Sequence, residues 1–326
     1  MRVALICPAP PGSRLGNRIT ALRWRRMLRE LGHDASIAAG GNGGRCDAMI
    51  ALHARKSAAS VRAWRELHQA RPLAVALTGT DLYRDIHTDS EARRSLDLAD
   101  LLIVLHPGAE AQLPRRLRSK VRLVPQSAPP PPRKASPLRR WFQVAVVGHL
   151  RPEKDPLRAA LAARLLPSSS RVRVVQAGAA LSSALQRAAL AEARTNPRYR
   201  WVGELPGWKA RALIARARLL ALTSEMEGGA NVVSEAVAAG TPVVASRIPS
   251  MEGIFGRSYP GLFPFGSTEA LARLFSRAER EQRFLGELRA RCRALRKALS
   301  PAREKAALNG VLRDLRAGRR LPWKPT

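Results

Sequence analysis

The chain has 326 residues, of which 45% are apolar, and its 57 Lys and Arg against 25 Asp and Glu give a formal net charge of +32 at pH 7. This length predicts two domains, and no apolar run reaches the roughly 18–20 residues that a membrane-spanning helix needs. Cys7, Cys46 and Cys292 form no CxxC pair, which argues against disulfides or a zinc site and fits a reducing cytoplasm.

The large positive charge has two explanations. One is a polyanionic partner, either a nucleic acid or an anionic membrane surface. The other is composition, because the basic residues are mostly arginines spread along nearly every predicted helix, and aromatic residues are only 5%. Nucleic-acid-binding proteins cluster their charge and interleave aromatic residues. We therefore expect no nucleic-acid partner, although a field of this size would attract anionic substrates.

The first part of the chain alternates short apolar runs with helical patterns. Strands are predicted at 2–7, 34–39, 47–52, 73–77, 101–105 and 121–125, with helices at 19–32 and 57–69. This alternation is typical of βαβ units around a parallel sheet. The apolar run at the N-terminus therefore predicts a first core strand rather than an export signal. The stretch SAPPPPRKASP then predicts a break between domains.

A second alternation follows the proline-rich break. Strands are predicted at 142–148, 171–178, 198–203, 218–224 and 241–246, and an arginine-rich helical pattern from about Glu269 is broken by Pro301. The predicted fold class is α/β, with two doubly wound parallel sheets. The predicted organisation is a first domain at 1–127, a linker at 128–140 and a second domain at 141–300. A C-terminal helical segment at 301–326 is predicted to pack back on the first domain.

Ligands of open parallel sheets bind beyond the carboxyl ends of the strands, so the turns that follow the strands are the candidate binding sites. The first, CPAPPGSRLGNRIT, has only Gly12 and Gly16 and lacks G-x-G-x-x-G, which disfavours a nicotinamide dinucleotide. No G-x-x-x-x-G-K-[ST] phosphate loop occurs in the chain. Asn17 and Arg18 enter the following helix, whose N-terminus could hold an anion.

The stretch SEMEGGANVVSEAVAAGTPVVAS carries the strongest signal. Gly228, Gly229 and Ala230 open a predicted helix, and their small size would let a diphosphate approach exposed backbone N–H groups. Glu235, in the second turn, could accept hydrogen bonds from ribose hydroxyls, and Glu227 would lie nearer a transferred group. Either glutamate alone would fit an exposed helix acid equally well, so the combination indicates the site.

The turn VVGHLRPEKDPLRAA supplies the cations that such a site needs. His149, Arg151 and Lys154 project near the next predicted helix, where they could neutralise a diphosphate. Taken alone, the turn would also fit a solvated basic surface. Its occurrence together with the glutamate-and-glycine stretch favours a phosphate site.

The order V-G-x-L-x-x-x-K, W-V-G and S-x-x-E-G-x-x-N-V-x-x-E-A-x-x-A-G-x-P-V-V-A resembles the second half of family-four GT-B glycosyltransferases, the sucrose-synthase and glycogen-synthase type, over about 142–250. The resemblance implies two Rossmann-like domains facing across a cleft, with a nucleotide sugar held mainly by the second. It implies catalytic roles for Glu227 at the sugar and Lys154 at the diphosphate. Further nucleotide-sugar contacts are implied for His149, Arg151, Trp201, Val202, Gly228, Gly229, Ala230, Asn231, Val232 and Glu235, the last at the ribose.

Two positions depart from the family pattern. The family usually has Arg after the glycine of V-G-R-L, whereas this chain has His149, so Arg151 is expected to supply the charge. Many members also have a histidine in a stretch like T-x-H-G-x-D. LTGTDLYRD has Thr78 at that position, although Gly79 and Asp81 match. The missing histidine argues against an ordinary sugar-hydroxyl acceptor.

A closer, end-to-end resemblance fits this departure. GNRITALRW, ALHARKSAA, ALTGTDLY, GHLRPEKDP, NPRYRWVGELP and MEGGANVVSEA resemble the selenosugar synthases of selenoneine biosynthesis. These enzymes transfer N-acetylglucosamine or glucose from UDP to the selenium of selenophosphate, giving a 1-selenosugar. Because that selenium is already anionic, no general base is needed. The resemblance implies acceptor contacts at Gly16, Asn17, Arg18, Arg55, Lys56, Thr78, Gly79, Thr80 and Asp81.

No D-x-D motif occurs, and E-M-E at 225–227 is a weak substitute, so neither a metal nor another cofactor is expected. Cations and the helix N-terminus near Gly229 would stabilise the departing UDP. The expected partners are small-molecule substrates, with coupling to a selenophosphate synthetase and a selenoneine synthase, and no membrane insertion is expected. Two alternatives stay open: a conventional family-four enzyme using a hydroxyl acceptor in surface polysaccharide or glycolipid synthesis, and a basic nucleic-acid-binding protein on a degenerate α/β scaffold.

Overall fold

The computed structural model describes residues 1–131 and 140–318, and the chain divides into two compact units. The first unit comprises Met1–Gln126, Glu227–Gly229 and the chain from Pro301 onward. The second comprises Ser127–Met226 and Ala230–Ser300. Most of the predicted linker and the end of the predicted C-terminal segment lie outside the described residues, at 132–139 and 319–326.

The first unit contains a six-stranded parallel sheet with the order β2-β1-β3-β4-β5-β6, and all six predicted strands are confirmed. The strands are β1 (Arg2–Ile6), β2 (Asp34–Ala38), β3 (Ala48–Leu52), β4 (Leu73–Ala76), β5 (Leu101–Val104) and β6 (Val121–Leu123). The central strands β3, β4 and β5 are buried at every residue. Burial on both faces explains why they are continuous apolar runs.

Helices cover this sheet. They are α1 (Gly16–Glu30), α2 (Ala58–Leu67), α3 (Ile86–Thr88) and α4 (Ser90–Leu98), and a single π-helical turn, Asp81–Asp85, precedes α3. Along α1, Trp24, Met27 and Leu28 lie on one buried face, as the spacing of apolar residues predicts. The helix ends where Gly32 adopts φ +79°, a left-handed conformation that terminates many helices and favours glycine.

The second unit contains another six-stranded parallel sheet, with the order β12-β11-β10-β7-β8-β9. The strands are β7 (Phe142–Val147), β8 (Val172–Ala177), β9 (Tyr199–Trp201), β10 (Leu219–Leu222), β11 (Val243–Ser246) and β12 (Leu262–Phe263). All five predicted strands are confirmed. The sequence gives no signal for β12, because two residues are too few to show a periodic pattern.

The helices of this unit are α5 (Arg158–Arg164), α6 (Ser183–Thr195), α7 (Gly207–Arg216), α8 (Asn231–Ala239), α9 (Pro249–Phe255), α10 (Thr268–Arg280) and α11 (Gln282–Ala294). The helical pattern from Glu269 was expected to continue to Pro301, but it breaks earlier. Glu281 has an extended backbone (φ −102°, ψ 98°), which separates α10 from α11. This break lets Phe284, Leu285 and Leu288 of α11 enter the core.

The last described helix, α12 (Pro301–Arg316), belongs to the first unit and packs against α1. Its apolar face, Leu308, Val311, Leu312 and Leu315, joins the core that contains Trp24 of α1. Glu304, which is fully buried, accepts hydrogen bonds from Arg23 Nε (2.8 Å) and Trp24 Nε1 (2.8 Å). A buried carboxylate thus joins α12 to α1. No helix among the described residues combines the length and hydropathy needed to cross a bilayer.

Candidate functional site

A small cavity opens at the carboxyl ends of strands β7, β8 and β10 in the second unit. This is the edge of a parallel sheet at which ligands ordinarily bind. His149 and Lys154, both predicted site residues, lie in its wall. The other lining residues are Val146, Val147, Gly148, Pro156, Gln176, Ala221, Leu222, Thr223 and Ser224.

The turn after β7 is held close to the turn after β8. Gly178 has φ +152°, and a Cβ atom there would lie 1.9 Å from the carbonyl oxygen of Gly148, so only glycine fits. Next to this contact, the backbone N–H of Ala179 donates to His149 Nδ1 at 3.2 Å. In the neutral imidazole, Nε2 therefore carries the proton and can act as a donor.

Backbone contacts also fix the position of Lys154. The Thr223 hydroxyl donates to the carbonyls of Lys154 (2.9 Å) and Asp155 (3.0 Å), which ties the turn to the end of β10. Asp155 adopts a left-handed conformation (φ +41°), and its carboxylate pairs with Arg158 at 2.7 Å. The lysine side chain passes close to Gly148, as the distance of 3.9 Å between Lys154 Cε and a Cβ atom built on that glycine shows.

None of the other predicted donor-site residues lines this cavity. Trp201 ends β9 at the edge of the sheet and Val202 follows it, and the Trp201 indole donates to the carbonyl of Gly178 at 2.9 Å. Arg151 is half-buried and forms no ion pair within the described residues. Its charge is therefore not neutralised by a carboxylate of the described residues, and its role at the diphosphate stays a prediction.

The glycine pair is buried, which corrects the expectation that its amides are exposed. Glu227–Gly229 belongs to the first unit, and Glu227 itself is only 7% exposed. A Cβ atom at Gly228 would lie 2.2 Å from the carbonyl oxygen of Thr78. One at Gly229 would lie 2.7 Å from Leu105 Cβ and 2.8 Å from Gln126 Oε1. The two glycines are thus required by close packing.

Helix α8 begins directly after this pair, with Ala230 as its N-cap residue. Ala230 has φ +48° and ψ 75°, a left-handed conformation that is uncommon for alanine and that no sequence pattern predicts. Asn231 is the first helical residue, Val232 is buried, and Glu235 lies half-buried in the second turn. The predicted position of Glu235 on the helix is confirmed.

The predicted acceptor residues follow three neighbouring strands of the first sheet. Because β1, β3 and β4 are adjacent, the loops after their carboxyl ends lie side by side. Gly16 and Asn17 begin α1, and Arg18 lies close to the thiol of Cys7, whose pKa is raised by burial. Arg18 is half-buried, its Nε has no hydrogen-bond partner, and it pairs with no carboxylate of the described residues.

Asp81 shapes the loop after β4 rather than facing outward. It is fully buried, and its carboxylate accepts hydrogen bonds from three backbone N–H groups, those of Ala54 (3.0 Å), Thr78 (2.9 Å) and Gly79 (2.8 Å). These bonds connect the loop after β3 with the loop after β4. We expected Asp81 to contact the acceptor, but its carboxylate instead positions the two loops.

The two cations of the loop after β3 differ in their surroundings. Arg55 Nε pairs with the buried carboxylate of Asp85 at 3.1 Å, so its charge is partly neutralised within the protein. Lys56 is exposed and forms no ion pair within the part of the chain that the structure describes. Lys56 therefore retains more of its capacity to bind an anion.

Sequence reasoning missed His53, at the end of β3. This residue is 3% exposed and has φ +76°, and its Nε2 lies 3.1 Å from the Thr80 hydroxyl. The histidine lies in the stretch ALHARKSAA, whereas the family pattern has its histidine in the loop after β4. Only the pairing of β3 with β4 brings His53 to that loop.

A second buried histidine, His106, makes stability depend on pH. Tyr83 donates to its Nε2 (2.7 Å), and its Nδ1–H donates to the carbonyl of Pro107 (2.8 Å), an arrangement that requires the neutral ring. Burial lowers the pKa of His106 below 6.5, although the Pro107 carbonyl and Glu110 oppose this.

We expect the free energy of unfolding to fall as the pH drops below about 6.5, because the unfolded state then binds the additional proton. Denaturation of wild type and His106→Gln between pH 5 and 7 tests this. The glutamine variant should show the weaker pH dependence, and equal slopes would contradict the prediction.

A larger hollow, of about 280 Å³, lies elsewhere in the first unit. None of the predicted site residues lines it; its walls are Ile86, His87, Arg93, Leu96, Gln112, Leu113, Pro114, Arg116 and Leu117. Size alone therefore does not identify the functional site of this chain. Within residues 1–131 and 140–318, no group of three His, Cys, Asp or Glu side chains is arranged to hold a metal ion.

Comparisons with known proteins agree with this description. A protein-family model described as "Glycosyl transferases group 1" matches residues 134–297. No curated protein matches the chain by sequence.

Three solved structures illustrate the structural likeness. Sucrose-phosphate synthase from Thermosynechococcus elongatus is 16% identical, with a TM-score of 0.77 over 97% of this chain and 99% of that one. Anabaena HepE in complex with UDP is 15% identical, with a TM-score of 0.77 over 96% and 100%. The α,α-trehalose-phosphate synthase of Burkholderia xenovorans, in complex with glucose-6-phosphate, is 15% identical, with a TM-score of 0.68 over 92% and 78%. The predicted GT-B class of α/β fold is confirmed.

Proposed function

The chain belongs to the group 1 glycosyl transferases, whose family model covers half of its length, and from this premise we propose that it transfers a glycosyl group from a UDP-sugar to the selenium of selenophosphate. The sugar is N-acetylglucosamine or glucose, and the product is a 1-selenosugar for selenoneine biosynthesis. The reaction takes place in the cytoplasm and uses neither a metal nor another cofactor.

The donor assignment is supported by the cavity in the second unit. Lys154, whose backbone carbonyl accepts from Thr223, can neutralise charge on a diphosphate there, and the Nε2–H of His149 can donate a hydrogen bond to it. Among the solved structures of similar fold, the Anabaena protein was determined in complex with UDP. Charge that develops on the departing UDP would be stabilised by Lys154, a preorganised cation.

One observation carries the acceptor assignment. The acid–base groups His53 and Asp81 at the acceptor loops form hydrogen bonds with neighbouring protein groups, whereas two cations there form no ion pair with the described residues. His53 and Asp81 are buried and hydrogen-bonded to neighbouring protein groups. Arg18 and Lys56 pair with no carboxylate of the described residues. Such a site suits an acceptor that is already an anion and needs no base to remove a hydroxyl proton. The glucose-6-phosphate complex of the Burkholderia protein gives a precedent for a phosphorylated acceptor in this fold.

The proposed chemistry balances in two steps. The selenium of selenophosphate donates an electron pair to the anomeric carbon, a C–Se bond forms, and the C–O bond to UDP breaks with its electron pair leaving on the diphosphate. Water then attacks phosphorus and breaks the Se–P bond, releasing inorganic phosphate and the selenolate of the sugar. Glu227 contacts the transferred sugar in this proposal, and Glu235 the ribose.

Mass spectrometry of a reaction with selenophosphate and either UDP-N-acetylglucosamine or UDP-glucose tests the proposal. We expect a selenosugar, UDP and inorganic phosphate in equal amounts. Transfer to a hydroxyl acceptor, with none to selenophosphate, would contradict the selenium assignment and favour a conventional glycosyltransferase.

Arg18→Ala should raise the KM for selenophosphate about tenfold, because the substitution removes the guanidinium group and with it the hydrogen bonds that Arg18 is proposed to donate to the anion. The KM for the UDP-sugar should change little. Arg26→Ala is the matched control on the same helix, since Arg26 is exposed and pairs with Glu30 at 3.6 Å. If the two variants have the same acceptor KM, Arg18 does not bind the acceptor.

A further inference from the structure

The surroundings of His53 determine which of its nitrogens carries the proton. The backbone N–H of Lys56 donates to Nδ1 at 3.4 Å, whereas the nearest Asp81 carboxylate oxygen lies 3.9 Å from Nδ1, beyond hydrogen-bond distance, so Nδ1 is the acceptor. The neutral ring then carries its hydrogen on Nε2, which lies 3.1 Å from Thr80 Oγ1 and 3.8 Å from Asp85 Oδ2. The nearer oxygen is that of Thr80. Nε2–H therefore donates to the Thr80 hydroxyl.

This direction leaves the hydroxyl hydrogen of Thr80 without a partner in the protein. A hydroxyl has one hydrogen to donate and two lone pairs that accept. The bond from His53 occupies a lone pair, and Thr80 forms no other hydrogen bond among the described residues. Thr80 is half-exposed, so its hydrogen can reach a ligand at the loop surface.

From this geometry we infer that His53 is a positioning residue that orients the Thr80 hydroxyl as a hydrogen-bond donor to an oxygen of the anionic acceptor. The inference rests on the proposed acceptor site and adds a residue and a direction to it. A hydroxyl fixed in this way favours an acceptor that presents a lone pair, such as an oxygen of a phosphoryl group. A glycosyl acceptor whose group at this point must itself donate a hydrogen bond is disfavoured.

His53 has a backbone conformation that is unfavourable for most residues. Its φ of +76° lies in the left-handed region, which disfavours most side chains and in which His, Asn and Asp are enriched. Burial holds the pKa of His53 below 6.5, although Asp81 and Asp85 favour the charged form, while Lys56 and Arg55 disfavour it. The ring is therefore neutral at pH 7, as the hydrogen-bond direction requires.

Four variants test this assignment. Thr80→Val removes the hydroxyl at nearly constant shape, and Thr80→Ser keeps it. His53→Asn keeps an acceptor near the Nδ1 position and tolerates positive φ but cannot reach Thr80, whereas the longer His53→Gln places an amide donor near the Nε2 position. We expect Thr80→Val and His53→Asn each to raise the KM for selenophosphate about tenfold with an unchanged KM for the UDP-sugar. Thr80→Ser and His53→Gln should recover most of the loss.

A pH series gives a readout that a purely structural role would not change. Below the pKa of His53, the ring still donates from Nε2 to Thr80 and also carries a positive charge, so anion binding by wild type should strengthen. The ratio of wild-type to His53→Asn affinity should therefore rise as the pH is lowered below about 6.5. Taking the ratio removes the titration of the ligand itself.

Calorimetry with inorganic phosphate separates this inference from the proposed function. If wild type does not turn over selenophosphate but binds phosphate more tightly than Thr80→Val does, the proposed reaction fails and the Thr80 donor survives. If Thr80→Val binds both anions as wild type does, the inference is wrong. Thr88→Val is the matched control, because Thr88 is exposed and donates to the backbone of Arg84 outside this loop. Thermal unfolding of each variant identifies any that fails to fold, and Thr80→Ala, which also removes the hydroxyl, then serves in place of Thr80→Val.

Discussion

Glu304→Ala is expected to lower the free energy of unfolding by about 3–5 kcal/mol, because it leaves a buried cation without its partner. The carboxylate is fully buried and holds Arg23, whose side chain is only 9% exposed, together with the indole of Trp24. These hydrogen bonds join α12 to α1, two helices that lie at opposite ends of the sequence. Its loss should also loosen the start of α1, where Asn17 and Arg18 lie.

Chemical denaturation followed by circular dichroism measures this effect. Glu30→Ala is the matched control, because Glu30 joins the same two helices through Lys305 at 3.1 Å but is exposed. An exposed ion pair contributes less than about 1 kcal/mol, so the control should unfold nearly as wild type does. If both variants lose the same small amount, the buried carboxylate does not hold α12 in place.

Gly228→Ala is expected to reduce turnover at least about a hundredfold, since a displacement of about 1 Å at a reacting centre has that effect. A Cβ atom at this position would lie 2.2 Å from the carbonyl oxygen and 2.3 Å from the carbonyl carbon of Thr78. Both are backbone atoms and cannot turn aside as a flexible side chain would. The chain must therefore shift next to Glu227 and α8, the elements proposed to hold the donor.

The glycosyl transfer assay measures this loss, and calorimetry with UDP shows whether donor binding is lost with it. Gly286→Ala, in α11, is the control, because a Cβ atom there meets nothing within 4 Å. Alanine in a helix interior should stabilise the protein by up to about 1 kcal/mol and leave turnover unchanged. Full activity in Gly228→Ala would mean that the close approach to Thr78 does not position the site.

The amino-acid sequence determined eleven of the twelve described strands to within a few residues, but neither β12 nor the break between α10 and α11. Strands such as β3 and β5 are apolar at each position because they are buried on both faces, and this pattern is local. The spacing of Glu227 and Glu235 likewise located the start of α8, since helix signals act within a few residues. The family was identifiable from the same stretch.

Only the tertiary structure decided how the predicted site residues are used. Asp81 organises backbone amides instead of facing the acceptor, Arg55 is paired with Asp85, and the glycine pair is buried against Thr78 and Gln126. His53, which no motif indicated, reaches Thr80 through the pairing of neighbouring strands. The physical reason is that hydrogen bonding and close packing join residues far apart in the sequence, whereas apolar periodicity and motif spacing report only on neighbours along the chain.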